Sequence, residues 1–377
     1  IRHSINERRC VLLSPTASGK SLIIYYLIRY YFPEKSLVIV PTLSLVSQMY
    51  SDFEAYAKAD NTFEVENFVH KIFGGQEKTT DKPIIISTWQ SLYDLKKDFF
   101  TDFKLVIGDE AHLYKAKSLT KIMKNLENAP YRIGTTGTLD DVEVHKLILE
   151  GLFGTTKRVT STKELIKNKT LSSIAIRCLV LQYSKEVAAK ISKLNYQEEI
   201  NFLVGHSERN KYICNLVKGL TGNTLVLFQL IEKHGNILHS ILEEIIDSSR
   251  KIFFVYGGTD ADTREKVREL VEKEKDAIIC ASYGVYSTGI NIRNLHNIVF
   301  ASPSKSRIRN LQSIGRGLRK SETKESATLY DISDDLSYNG KKNYTLNHFI
   351  ERVKIYTSEY FPYHIYTIPI QTITDLL

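Results

Sequence analysis

The 377-residue chain is 42% hydrophobic and 25% charged, a globular balance with room for two domains of ordinary size. Its 51 Lys and Arg against 43 Asp and Glu give a net charge of +8, which attracts polyanions and makes such binding salt-sensitive. No apolar run approaches the roughly 18–20 residues that span a bilayer, so no membrane role is expected. The four cysteines, Cys10, Cys178, Cys214 and Cys280, contain no CxxC pair. That spacing excludes zinc-finger, iron–sulfur and disulfide-scaffold classes, and it suits small core residues in a reducing cytoplasm. The chain opens at Ile1 without a signal peptide and reads as a fragment or the ordered part of something longer.

In chain order, the apolar run Cys10 to Leu13 reads as a buried strand, SPTASGKS at 14–21 turns the chain, and Leu22 to Tyr31 continues as a helix. Strand, glycine-containing loop and helix form an arrangement that cradles phosphates. Ser14, Thr16, Ala17, Ser18 and Gly19 form the loop wall, Lys20 reaches the β/γ-phosphates, and the Ser21 hydroxyl ligates Mg2+. Ser14 stands where the first glycine of the strict motif is usual.

Further strands are expected at Ser36 to Val40, Ile84 to Thr88, Lys104 to Ile107 and Tyr131 to Gly134. Alternating with helical patterns, they indicate a parallel sheet whose ligands collect at the carboxyl ends. Asp109 and Glu110 follow one such strand. As phosphoryl-transfer groups, Asp109 holds Mg2+ and Glu110 polarises the attacking water; the alternative is that the pair caps the next helix. Trp89, after another strand, either stacks a base or packs in the core.

From Gly151 to Thr170 the chain turns polar and basic, with Lys157, Arg158, Lys163, Lys167 and Lys169, which suggests a hinge. A strand at 174–183, a charged helix at 185–201 and a packing segment at 201–220 follow. Five short strands are then expected at 224–228, 251–255, 277–280, 298–300 and 328–330, a second parallel sheet with no phosphate loop of its own. Ser287, Thr288 and Gly289 follow a strand and can contact a nucleic-acid backbone and a nucleotide. QSIGRGLR at 312–319 puts Arg316 and Arg319 three residues apart on one helical face. They serve either as arginine fingers on a γ-phosphate, with Gln312 near the attacking water, or as part of a basic face with Lys305, Arg307, Arg309 and Lys320. Leu346, Phe349, Ile350, Val353 and Tyr356 fall at helical spacing in the tail.

The ordered set SPTASGKS, Asp109–Glu110–Ala111–His112, Thr136–Gly137–Thr138 and QSIGRGLR resembles superfamily 2 helicases of the DEAH-box spelling. The runs 40–48, 196–200 and 281–289 narrow it to phage helicases that act on branched DNA. The resemblance implies two tandem RecA-like domains of α/β class, each a parallel sheet flanked by helices, with ATP in the cleft between them. It places Pro41, Thr42, Gln48, Gly74, Gly75, Thr88, Trp89, Gln90 and Thr288 on the nucleic-acid backbone, and His112 and Gly289 near the nucleotide. Thr136 and Thr138 would join the γ-phosphate to that backbone grip. Asn291 departs from the aspartate usual in the family, and the upstream Gln-containing adenine-recognition segment is not visible.

The expected organisation is a first domain at 1–155, a linker at 156–172, a second domain at 173–335, and a helical extension at 336–377. The expected activity is ATP- and Mg2+-dependent unwinding or branch migration of DNA forks, Holliday junctions or R-loops in recombination and repair. The partners are single-stranded and branched DNA, with RNA in hybrids, bound by a monomer in the host cytoplasm. The alternatives are an RNA-directed DEAH helicase, a restriction-system motor subunit, and a strand-annealing or branch-binding protein.

Overall fold

A computed structural model describes residues 1–15, 18–60, 63–73, 77–139, 143–288, 292, 294–302, 306, 314 and 326–370. The chain divides into two units, Ile1–Ser161 and Thr162–Leu377. Unit 1 holds a seven-stranded parallel sheet in the order β3-β4-β2-β5-β6-β1-β7. Its strands are β1 (Arg9–Leu13), β2 (Ser36–Val40), β3 (Val69–Ile72), β4 (Ile84–Thr88), β5 (Leu105–Asp109), β6 (Tyr131–Thr136) and β7 (Thr156–Arg158).

The continuous apolar runs follow from burial on both faces. In β2, Leu37 and Ile39 join one core cluster while Val38 and Val40 join the other. Ile85 and Ile84 divide the same way in β4. β3 carries His70 and Lys71 at its centre and lacks the apolar run that marks its neighbours. β7 is three residues of Thr, Lys and Arg held by β1, so the beginning of the stretch expected as a linker is an edge strand of unit 1.

Unit 2 repeats the design in the order β10-β11-β9-β12-β13-β8-β14. The strands are β8 (Ser173–Gln182), β9 (Thr224–Phe228), β10 (Ile252–Val255), β11 (Ile278–Ser282), β12 (Asn297–Phe300), β13 (Ser326–Asp335) and β14 (Tyr363–Pro369). The tail expected as a helical extension is a helix, Tyr344–Ser358, followed by β14, which adds to the sheet beside β8. All four cysteines are buried and unbridged, and burial raises the pKa of each thiol. Among the described residues no helix is long and apolar enough to cross a membrane.

Three buried acids organise unit 2. Asp331 on β13 accepts from Arg352 Nε at 2.9 Å and from Tyr356 Oη at 2.8 Å, both on the C-terminal helix. Asp334, also on β13, accepts from Arg209 Nε at 2.8 Å and from Tyr183 Oη at 2.8 Å. Each pair is desolvated, so the supporting hydroxyl bonds are needed to offset the cost of burying charge. Glu199, within the 196–200 run, is 2% exposed. Its carboxylate accepts from Tyr344 N at 3.0 Å, Thr345 N at 2.8 Å, Thr345 Oγ1 at 2.7 Å and Asn343 Nδ2 at 2.9 Å. It caps, from a distant helix, the amides that open Tyr344–Ser358, whose own N-cap Asn343 provides no side-chain cap.

Glu199→Gln keeps the shape but turns an amide donor toward these donors. The expected cost is about 2–4 kcal/mol, read as a lower urea midpoint for the unit 2 transition. A midpoint equal to that of the unsubstituted protein would contradict the capping role.

Candidate nucleotide and nucleic-acid site

Because every strand of unit 1 runs the same way, the carboxyl ends stand along one edge in the order β4, β2, β5, β6, β1. Thr88 ends β4, Pro41 follows β2, Asp109 ends β5, Thr136 ends β6, and Ser14 follows β1. Residues suited to a phosphate backbone occupy one half of this edge, and those suited to a nucleotide occupy the other. Neighbouring strands are about 4.8 Å apart, so the phosphate loop and Asp109 flank β6 within reach of one small ligand.

The loop is held by its own polar groups. Ser14 N donates to Thr136 O at 2.9 Å, which ties the loop start to β6. Ser18 Oγ donates to Pro15 O at 2.6 Å, so the 2.6 Å contact between Ser14 Oγ and Ser18 Oγ uses the Ser14 proton. Ser14 is thus a buried side-chain strut at the position where glycine is usual. Gly19, at φ 85°, is the left-handed N-cap of the helix Lys20–Tyr31, a conformation that a side chain would strain. Lys20 Nζ donates to the Ser14 and Pro15 carbonyls at 3.3 and 3.2 Å, and a phosphate would replace these neutral acceptors with charged ones. Ser21 Oγ lies 2.9 Å from Tyr56 Oη.

Asp109 is 8% exposed. Its register partner on β6 is Thr135, whose hydroxyl donates to Asp109 Oδ1 at 2.8 Å. Burial, then the charge of Glu110, pushes the Asp109 carboxyl up to about 6 against the pull of Lys20 and Thr135. Gly108 permits the packing beneath it: an added Cβ would lie 2.7 Å from Tyr114 and from Phe153. Glu110 sits at φ 50° ahead of the turn Ala111–Lys115 and makes no side-chain cap bond, so the capping alternative does not hold for it.

Its Oε2 lies 3.3 Å from His112 Nδ1, which is 2.9 Å from Thr136 Oγ1. Thr136 Oγ1 donates to Thr138 O at 2.9 Å, so the proton between His112 and Thr136 belongs to His112. A hydrogen-bonded chain thus runs from His112 through Thr136 to Thr138, with Glu110 Oε2 beside His112 but not hydrogen-bonded to it.

These donors fit a hard divalent cation. Asp109, Glu110 and Ser21 offer oxygen only, and positive charge would relieve the raised Asp109 carboxyl. Among the described residues no group of three or more His, Cys, Asp or Glu could hold a metal, so phosphate oxygens and water would complete the shell.

Two family models match the chain: "Type III restriction enzyme, res subunit" over residues 2–141 and "Helicase conserved C-terminal domain" over 208–321. The chain is 36% identical over 384 residues to the ATP-dependent DNA helicase uvsW of Enterobacteria phage T4, covering 97% of this chain and 74% of that protein. It belongs to the UvsW family of superfamily 2 helicases. A probable helicase, D10, of Escherichia phage T5 is 23% identical over 86% of this chain and 67% of its own length. A fragment of a putative HsdR subunit of a type I restriction enzyme from Vibrio vulnificus shares the fold, with a TM-score of 0.68 at 19% identity over 96% of this chain and 65% of that one. Both units are accordingly RecA-like domains of an ATP-dependent helicase enzyme.

In this UvsW-family chain, Pro41, Trp89 and Asp109 line one recess. Trp89 packs partly buried against the core, which favours the packing alternative, whereas Gln90 is exposed. The Thr42 and Thr88 hydroxyls accept from Leu45 N and Ser91 N at 3.4 Å each, and Gln48 is half-buried. Thr288 ends the helix Tyr283–Thr288 that follows β11. Thr16, Ala17, Gly74, Gly75, Gly289, Gln312, Arg316 and Arg319 lie outside the described residues. Thr135 and Tyr56 were not anticipated. Thr135 had a signal in its place beside Thr136, while Tyr56 is 35 positions from Ser21 and had none.

A carboxyl raised above its exposed value of 3.8 favours folding when protonated. Its contribution is full below about pH 4 and is lost as pH rises through about 6. Asp109→Asn retains an acceptor for Thr135 and should stabilise the metal-free protein by about 1–3 kcal/mol at pH 7.5, and much less at pH 4.5. Denaturant titrations at both pH values check this; equal shifts at the two would contradict it.

Proposed function

We propose that the protein is a DNA motor that spends ATP to unwind or branch-migrate branched DNA in recombination and repair. The observation that carries the reading is the acid Glu110 set against the hydrogen-bonded chain from His112 through Thr136 to Thr138, on the edge that also bears Pro41, Thr42 and Gln90. The T4 relative's name, an ATP-dependent DNA helicase, supports DNA as the partner.

Lys20 and the loop amides from Ser14 to Ser21 bind the β/γ-phosphates of ATP, with Ser21 and Asp109 oriented for Mg2+. Magnesium, when bound, neutralises phosphate oxygens. Glu110, beside His112, takes a proton from the attacking water. Gln312 orients that water, and Arg316 and Arg319 stabilise charge developing on the γ-phosphoryl group. Thr88, Gln90, Gly74, Gly75 and Thr288 hold the nucleic-acid backbone, and Gly289 serves both ligands. The units Ile1–Ser161 and Thr162–Leu377 are the two motor domains, with β7 belonging to the first and β14 to the second. Motion requires that DNA affinity differ between the nucleotide states, since equal affinities would shift nothing.

Lys20→Ala is expected to abolish ATP turnover while circular dichroism and melting stay those of the parent protein; near-normal turnover would reject the site. Arg316→Ala or Arg319→Ala should leave binding of a fluorescent ATP analogue intact and slow hydrolysis by about 10³-fold. ATPase stimulation by forked, duplex and single-stranded DNA and by RNA tests the substrate. Stimulation by RNA alone would overturn the DNA assignment.

A further inference from the structure

The helix Lys117–Asn125, which follows the Asp109–Glu110 turn, has a face that the helicase motifs do not use. Leu119, Ile122 and Met123 are buried in the unit 1 core, while Lys117, Lys121 and Lys124 point to solvent at i, i+4 and i+7. None of the three makes an ion pair among the described residues, and the nearby acid Glu127 is engaged by Lys97. Like charges at this spacing disfavour a helix, so folding alone does not call for the row. Lys121 Nζ lies 4.3 Å from the ring centroid of Tyr93, which is 38% exposed. Tyr93 closes the short helix Trp89–Leu92, which packs against Lys117–Asn125. The lysine row therefore adjoins the segment that carries Trp89 and Gln90.

Its direction decides what it can reach. The helix begins beyond the carboxyl end of β5 and ends before the amino end of β6, so it descends from the strand edge along the sheet face. A strand lying on the edge at Pro41 and Gln90 leaves the row beside it. Lys117 to Lys124 spans about 10 Å at 1.5 Å per residue, about three phosphate steps of one duplex strand.

We propose that Lys117, Lys121 and Lys124, with Tyr93 as their abutment, form a contact for the phosphate backbone of a duplex arm adjoining the single strand. This rests on the DNA-motor reading above. The row neutralises up to three phosphates and reads no base, so it adds salt-dependent affinity without sequence preference.

The test compares the full chain with its Lys117→Gln/Lys121→Gln/Lys124→Gln and corresponding triple Lys→Arg variants; glutamine preserves helix propensity. Binding to a forked DNA and to oligothymidylate is measured between 50 and 200 mM salt. On the fork, the slope of log K against log salt should become shallower by about 2–3 in the glutamine variant. It should be unchanged on oligothymidylate, and the arginine variant should keep the parent slope on both. ATPase without nucleic acid should not change. An unchanged fork slope, or an equal change on both substrates, overturns the duplex contact while leaving the motor reading intact. Should the unsubstituted protein bind neither DNA, both fall.

Discussion

A carboxylate held out of water beside a second carboxylate sets the terms for unit 1. Asp109 ends a strand buried on both faces, so it cannot turn to solvent, and Glu110 follows immediately. Thr135 and Lys20 offset only part of the cost, leaving a site that favours protons or cations. Neighbouring features fall into place around that constraint. Gly108 admits Tyr114 and Phe153 beneath the acid, β6 brings Thr135 alongside in register, and Lys20 waits on two neutral carbonyls that a phosphate would displace.

Parallel strands gather this local chemistry along one edge. All carboxyl ends meet one edge, and β6 separates the phosphate loop from the acidic turn. Thr136 is therefore bonded at once to His112 and to the backbone of Thr138. Glu110 is one close contact, through His112, from the hydrogen bonds of β6. The exposed Gln90 and the lysine helix stand farther along the same side, where a long polyanion rather than a nucleotide has room to lie.

Unit 2 uses acids for the opposite purpose. Asp331 and Asp334 are each bound by an arginine and a tyrosine, so β13 anchors two helices from different parts of the chain. Glu199 closes the N-terminus of a helix that begins 145 residues later at Tyr344. A motif resemblance at 196–200 thus reflects how the unit is held together, and acidity alone does not distinguish such a cap from a catalytic group.

The sequence by itself determined the class of fold and most strands, and it marked the candidate phosphate loop and acidic turn. These are carried by contiguous residues: an apolar run between turn signals needs no partner to be read, and SPTASGKS carries its glycine, lysine and hydroxyl within eight positions. Tertiary structure alone decided which hydroxyl holds Asp109, that Tyr56 meets Ser21, that Glu199 is a cap and that Trp89 leans on the core. It also decided that β3, β7 and β14 are strands. β7 and most of β14 are polar or exposed and β3 is polar at its centre, so none carries a continuous apolar run, and the hydrogen bonds of a neighbouring strand make them extended. Pairings between distant residues depend on register and burial, which a linear pattern does not contain.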